Sequence, residues 1–142
     1  MNKAHERTLW LIRACAIWLV GLGVYFIVVR PSLLPEDARF MGATQEQIAA
    51  LLPGLQSWLQ HVFTVMGGFM TGTGVLVFAA APQVARTQHA GYLFALAGIA
   101  SVGVMSAVNF SLHSDFRWLL LAPVVLWIAA VVAGLSSAGG RP

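Results

Sequence analysis

Four long apolar runs with almost no charged residues constrain the fold of this chain more than any other feature. They cover residues 9–29, 58–81, 91–112 and 118–135, and their lengths are 21, 24, 22 and 18 residues. A helix rises about 1.5 Å per residue, so about 20 apolar residues cross a hydrocarbon layer about 30 Å thick. Lipid offers no partner to backbone N–H and C=O groups, so each run is predicted to be helical. The chain is therefore predicted to be an all-α membrane protein with four transmembrane helices.

The overall composition agrees with this class. Hydrophobic residues make up 58% of the 142 residues and charged residues 9%, whereas a soluble domain has about 25% charged residues. Four spans leave no room for a separate soluble domain, so residues 1–142 are predicted to form a single transmembrane domain. The eight basic residues are too few and too scattered to follow a phosphate backbone, which argues against nucleic acid as a partner. The partner that the composition indicates is the lipid bilayer.

The distribution of basic residues predicts which way the chain crosses the membrane. With four spans, both termini lie on one side. If that side is the cytoplasm, the inside segments hold five of the eight basic residues, namely Lys3, Arg7, Arg13, Arg86 and Arg141. The outside segments hold the other three, Arg30, Arg39 and Arg117. Because cytoplasmic loops carry an excess of Lys and Arg, we expect a cytoplasmic N-terminus and a cytoplasmic C-terminus.

The segment between the first two runs carries a helical signal of its own. Thr44, followed three positions later by Gln47, fits a capping box. Apolar residues then recur at helical spacing, and the set consists of Ile48, Leu51, Leu52 and Leu55. This pattern predicts a short amphipathic helix over about residues 45–52 that lies on the outer membrane surface. Pro53 and Gly54 end it.

The other connections are short, and short connections make neighbouring helices antiparallel. The sequence therefore predicts an up-down-up-down four-helix bundle. Small residues let helices approach closely in lipid, and the predicted packing positions are Gly68, Gly72, Gly98 and Gly103. The first and fourth runs contain more bulky residues. The closest seam is therefore predicted between the second and third spans.

Polar residues within the second and third spans cluster toward the outer surface. Ser106, Asn109 and His113 lie at positions i, i+3 and i+7, so they share one helix face. Because polar groups at membrane depth usually face the bundle interior or a cavity, we predict a polar pocket at this outer rim. The candidate pocket residues are His61, Thr64, Ser106, Asn109, His113, Asp115, Arg117, Glu36, Asp37 and Arg39. The alternative is that the charged pairs only fix loops and that the other polar groups bond to backbone.

Motifs of established chemistry do not occur in the chain. It has no HExxH, CxxCH, GxSxG or phosphate-loop sequence, so no metal and no cofactor are predicted. No acidic residue lies within a span, which argues against proton-coupled transport. The single cysteine, Cys15, cannot form an internal disulfide and is predicted to be a packing residue.

Three segments, LPEDARFMG, WLQHVFTVMGGFM and NFSLHSDFRWLL, resemble parts of small bacterial four-helix integral membrane proteins to which no function is assigned. The resemblance covers about residues 30–121. It implies a location in a bacterial inner membrane, and it carries over no functional residue.

Three functional hypotheses follow from these patterns. The first is a non-enzymatic interaction or accessory component, with another membrane protein or a second copy as partner, or a binder of a small hydrophobic ligand at the outer-rim pocket. The second is a membrane enzyme that acts on a lipid-like substrate, with His61, Asp115 and Asn109 as working groups. The third is a haem or metal-binding protein that uses His61 and His113.

Overall fold

The structure, a computed structural model, describes residues 3–138, and within them it contains no β-strand. The helices in chain order are α1 (Lys3–Val28), α2 (Pro35–Met41), α3 (Gln45–Leu51), α4 (Leu55–Val84), α5 (Gln88–Gly98), α6 (Val104–Ser111) and α7 (Ala122–Ala138). A π-helical turn, Ile99–Gly103, joins α5 to α6, and a 3-10 turn, Leu119–Leu121, precedes α7. Arg141, one of the five basic residues assigned to the inside, lies outside the described residues.

Four helical segments are long and apolar enough to cross a membrane. We call them spans 1 to 4, and they are Lys3–Val28, Leu55–Val84, Gln88–Ser111 and Leu119–Ser136. Each overlaps one of the four apolar runs. Large apolar side chains on their outer surfaces are exposed, as at Phe69 (75%) and Leu76 (71%), and lipid would cover such surfaces. The prediction of an all-helical chain with four apolar helices of spanning length is confirmed.

Spans 1 and 2 form the most extensive interhelical seam, and small residues make it close. A Cβ atom at Gly67 would lie 2.5 Å from the carbonyl oxygen of Gly23. A Cβ atom at Gly74 would lie 2.8 Å from the carbonyl oxygen of Ala16. Real Cβ atoms essentially never approach other atoms within 3.0 Å, so the two backbones can meet here only because both positions are glycine. The register of these contacts shows that α1 and α4 run in opposite directions.

The prediction that spans 2 and 3 form the closest seam is wrong, because span 2 packs against span 1 instead. Gly68 and Gly72, the predicted packing residues of span 2, have no described atom within 4 Å of where a Cβ would lie. Successive residues of a helix are about 100° apart around its axis. Turning Gly67 and Gly74 toward span 1 therefore turns Gly68 and Gly72 away from it. That Gly68 and Gly72 are helix-packing residues stays a prediction.

Spans 3 and 4 are joined by Trp127, which is 4% exposed. Its ring occupies the space beside Gly98, where an added Cβ would overlap the indole. The indole Nε1–H donates to the carbonyl oxygen of Phe94 at 2.9 Å, and the two rings stack with centroids 4.5 Å apart. The π-helical turn follows Gly98 directly. Span 4 also packs against span 1, and together these contacts form one core: Ile12, Cys15, Leu19, Ala81, Ala85, Phe94, Val102, Trp127 and Ala130.

Residues 30–54, which we call the cap, contain two short helices where the sequence predicts one. The predicted capping box is present at the start of α3. The N–H of Gln47 donates to Thr44 Oγ1 at 3.2 Å, and the N–H of Thr44 donates to Gln47 Oε1 at 2.9 Å. The capping-box prediction is confirmed, and α3 covers nearly the predicted range. Its placement on a membrane surface stays a prediction.

The additional helix, α2, has ordinary local causes. Pro35 occupies its first turn, where the missing N–H costs nothing. Gly42 ends it in the left-handed region with φ 69°, which glycine adopts without strain. Ala38 of α2 and Ile48 of α3 then pack with Leu33 into a small core of their own. The cap is thus a helical hairpin that lies beside the start of α4.

Candidate functional site

A buried hydrogen bond joins the cap to the connection between spans 3 and 4, residues 112–118, which we call the 3–4 turn. The hydroxyl of Ser114 donates to Oε1 of Glu36 at 2.8 Å. Glu36 is 8% exposed and Ser114 is 2% exposed. Ser114 Oγ also accepts from the N–H of Phe116 at 3.2 Å. Because a buried carboxylate is costly unless it is hydrogen-bonded, this contact fixes α2 against the turn.

An ion pair bridges the same two segments at the surface. Arg39 Nη2 lies 2.9 Å from Asp115 Oδ2, and the side chains are 62% and 60% exposed. Exposed pairs of this kind contribute at most about 1 kcal/mol, because water and salt screen them. The pair therefore reinforces a contact that the Ser114–Glu36 hydrogen bond already makes.

Arg30 links the cap to spans 1 and 2. Its guanidinium carbon lies 3.5 Å from the ring centroid of Phe63 and 5.3 Å from that of Phe26. Its Nη2 lies 3.7 Å from Asp37 Oδ2, and only 12% of the side chain is exposed. Burial lowers the pKa of Arg30, whereas the nearby carboxylate of Asp37 favours the charged form and raises it. Asp37 also accepts from the N–H of Leu34 at 2.8 Å, at the start of α2.

Arg117 is used within the 3–4 turn itself. Its Nη1 donates to the carbonyl oxygens of His113 and Ser114, both at 3.1 Å. His113 has φ 51°, a left-handed conformation that is uncommon for residues other than glycine. The imidazole of His113 is exposed. Arg117 therefore stabilises a tight turn, and no ion pair among residues 3–138 joins it to a carboxylate.

The other predicted pocket residues bond to their own helices or are simply buried. His61 donates from Nδ1 to a carbonyl one turn earlier at 2.7 Å. Thr64 and Asn109 do the same at 2.8 Å and 2.9 Å. Ser106 is 5% exposed, whereas His61 and Thr64 are exposed. Within residues 3–138, no hydrogen bond or ion pair joins His61 or His113 to a carboxylate.

The structure thus brings four of the ten predicted residues together with two that sequence reasoning missed. We call this set the cap network: Arg30, Glu36, Asp37, Arg39, Ser114 and Asp115. For Arg30, a signal was present, because Phe26 precedes it by one helical turn and offers a ring for stacking. For Ser114 we find no such signal, since its partner is 78 positions away. That the ten residues share one pocket stays a prediction.

The cap network is suited to holding segments in place. Each of its carboxylates already has a partner: Glu36 has a hydroxyl, Asp37 a backbone N–H and a guanidinium, and Asp115 a guanidinium. Within residues 3–138, no group of three or more His, Cys, Asp or Glu side chains is placed to hold a metal ion.

A cavity of about 40 Å³ lies at the other end of the helices, with room for about three water molecules. Apolar side chains such as Ile12, Phe94 and Ala130 form much of its wall. At its edge the amide of Gln88 donates to the hydroxyl of Tyr92 at 2.8 Å. None of the ten predicted pocket residues lines it.

Comparison with protein-family models, with curated proteins and with solved structures finds no match to this chain. The resemblance carried by the three sequence segments therefore stays a prediction. The same is true of the bacterial inner membrane that it implies.

Proposed function

We propose that this chain is a multi-pass protein of a bacterial inner membrane, with four spans in an up-down-up-down bundle and both termini in the cytoplasm. The antiparallel register of α1 and α4 and the short connection between α4 and α5 support the alternation. The excess of basic residues at the N-terminal end of span 1 and between spans 2 and 3 supports the sidedness.

In this arrangement the cap lies at the outer membrane surface, with α3 as the interfacial helix. Four large apolar side chains of the cap are exposed, and they are Phe40, Met41, Leu51 and Leu52. An interfacial helix buries such side chains among lipid headgroups and the upper acyl chains. Ile48 and Ala38 pack into the small core of the cap, so these four side chains remain free to contact lipid.

Labelling of introduced cysteines tests the sidedness. The native Cys15 is 1% exposed and contributes little background. Ala49→Cys in the cap and His89→Cys between spans 2 and 3 both fall at exposed positions. We expect a membrane-impermeant maleimide to label the first in intact cells and the second only after lysis. Labelling of the second in intact cells would reverse the proposed orientation.

We infer that the role of the protein is non-enzymatic, as an interaction or accessory component of the membrane. One observation carries this proposal: the carboxylates of the cap network are all paired within the chain. General acid or base catalysis needs a titratable group that can reach a substrate proton. Paired carboxylates and guanidinium groups instead hold the cap in one orientation, which suits a surface that another molecule recognises.

The exposed face of span 2 supports association with another transmembrane helix, from a second copy or from another membrane protein. A shallow groove on this face is lined by Val65, Gly68, Phe69, Gly72, Thr73 and Leu76. Two glycines one turn apart allow a neighbouring backbone to approach closely, and close approach is what stabilises helix pairs in lipid. The chain already uses Gly67 and Gly74 for this purpose against span 1.

Crosslinking in native membranes tests the role. We expect the wild-type chain to form a crosslinked complex that Gly68→Leu and Gly72→Leu abolish. Gly21→Leu is the matched control, because Gly21 lies on span 1 and an added Cβ there also meets nothing within 4 Å. The variants Asp115→Asn and His61→Ala should leave the complex intact. Absence of any complex would contradict the association, and lipid turnover that His61→Ala abolishes would establish an enzyme instead.

A further inference from the structure

Arg13 lies within span 1 and is held between two aromatic rings. Its guanidinium carbon is 5.2 Å from the ring centroid of Trp10 and 5.2 Å from that of Phe78 on span 2. Trp10 is 57% exposed and Phe78 is 42% exposed. The guanidinium therefore lies at the outer edge of the seam between spans 1 and 2, on a surface that faces away from the bundle.

No carboxylate among the described residues neutralises this guanidinium. Its Nε is buried and has no hydrogen-bond partner, and within residues 3–138 no ion pair involves Arg13. The rings of Trp10 and Phe78 offer only a weak attraction to the cation. A charged group in apolar surroundings needs an anion and hydrogen-bond acceptors as well. None of residues 3–138 supplies them, which leaves Arg13 open to an anion from outside that part of the chain.

The position of Arg13 indicates where that partner lies. Side chains of a helix tilt toward its N-terminus, and the contact with Trp10, three residues earlier, has this direction. Tryptophan rings favour the level of the lipid headgroups. The guanidinium is thus directed along the surface of span 1 toward the headgroups nearest the N-terminus, where phosphate is the abundant anion.

We propose that Arg13, between Trp10 and Phe78, binds the phosphate of an anionic phospholipid in the leaflet next to the N-terminus. The planar guanidinium matches a phosphate with two parallel hydrogen bonds. The two exposed rings provide apolar surface for the upper part of an acyl chain. Lys3 and Arg7, earlier on α1, add positive charge at the same end. This inference rests on the membrane placement proposed above, but on neither the sidedness nor the association.

The full chain, reconstituted in nanodiscs of phosphatidylglycerol and phosphatidylcholine, provides the test. Spin-labelled lipids measure the preference of the protein for the anionic lipid over the zwitterionic one. We expect Arg13→Gln to reduce this preference about fivefold, the effect of one basic residue near the surface. Arg7→Gln is the matched control, and we expect it to reduce the preference for the anionic lipid by less than Arg13→Gln does. High salt should abolish the effect of Arg7→Gln, because salt screens exposed charges more than buried ones. Arg13→Lys keeps the charge without the planar fork and should fall between.

Each other result overturns the assignment in a distinct way. Equal preference in Arg13→Gln and wild type would show that Arg13 binds no lipid phosphate. Loss of the preference on adding inorganic phosphate would identify a free anion as the ligand. An Arg13→Gln variant that keeps its lipid preference but loses a crosslinked complex would place a carboxylate of another protein at Arg13. Failure of the wild-type chain to enter the nanodiscs would instead contradict the membrane placement itself.

Discussion

The seam between spans 1 and 2 and the junction between the cap and the 3–4 turn hold the molecule together by opposite means. At the seam, the backbones of Gly23 and Gly67 come together without a charged side chain between them. At the junction, the contacts are a buried hydroxyl–carboxylate bond and an exposed ion pair. The seam depends on the absence of side-chain atoms, whereas the junction depends on specific side-chain atoms.

The difference reflects the two surroundings in which these regions are proposed to lie. Within lipid there is little hydrophobic attraction between helices, because acyl chains are as apolar as leucine. Close packing between helices is then the main source of stability, and glycine allows two helix backbones to approach most closely. At the end of the bundle, where water is present, polar groups can be paired at small cost. Their hydrogen bonds and ion pairs also fix the relative orientation of two segments, which apolar contacts do not.

The largest effect is expected when a side chain fills the seam between spans 1 and 2. We expect Gly67→Leu to destabilise the chain by about 3 kcal/mol or more, at the upper end of overpacking effects, because the new side chain would overlap backbone atoms of span 1. The measurement is the free energy of unfolding in monomeric micelles, where association does not contribute. Gly68→Leu, one position along the same helix, should change it by less than about 0.5 kcal/mol.

The reverse order of these two leucine variants would mean that span 2 is rotated about its axis. In that case Gly68 and Gly72, which were predicted to pack against span 3, would face span 1 instead. Equal effects would mean that the close approach of the two backbones contributes little.

A smaller effect is expected at the buried part of the junction. Ser114→Ala leaves the carboxylate of Glu36 without its partner, so we expect a loss of about 1–3 kcal/mol. Hydrogen exchange should locate the loss in α2 and the 3–4 turn, while the seam between spans 1 and 2 keeps its protection. Ser111→Ala, at an exposed position at the end of α6, is the control. Protection in α2 that Ser114→Ala leaves unchanged would show that the cap is held by other contacts.

The smallest effect is expected at the exposed part of the junction. Arg39→Ala should cost less than about 1 kcal/mol, and the cost should fall as salt is added. A double-mutant cycle with Asp115→Ala isolates the pair from other effects of each substitution. A coupling that exceeds the loss in Ser114→Ala would show that the surface pair, rather than the buried hydrogen bond, holds the cap.

Local patterns in the sequence predicted well those features that depend on neighbouring residues. The capping box of Thr44 and Gln47 located α3, since both partners lie within one turn. The proline and glycine that bound α2 were equally visible, yet its seven residues are too short for a periodic signal. Trp127 shows the limit of such patterns, because its burial depends on Gly98 in another span.

The candidate site was predicted in part for the same reason. The charged residues near the ends of spans 1 and 3 were recognisable as a group, and the structure brings Arg39 and Asp115 together as a pair. His61 and Thr64 were assigned to the same site because they lie on a polar stripe of span 2. The structure leaves them exposed and bonded to their own helix. A polar stripe alone does not show whether it meets another helix, since that depends on how the helix is rotated.

Hydrophobic length was enough to establish four helices, because a chain in lipid must satisfy its backbone groups locally, whatever its neighbours are. Which helix packs against which was decided by the tertiary structure. So was the choice of Gly67 over Gly68 at the seam, and the pairing of Arg39 with a carboxylate 76 positions away. These choices depend on the rotation and order of whole helices. Two adjacent glycines in the same apolar run point in directions about 100° apart, and nothing in the neighbouring sequence shows which of them faces another helix.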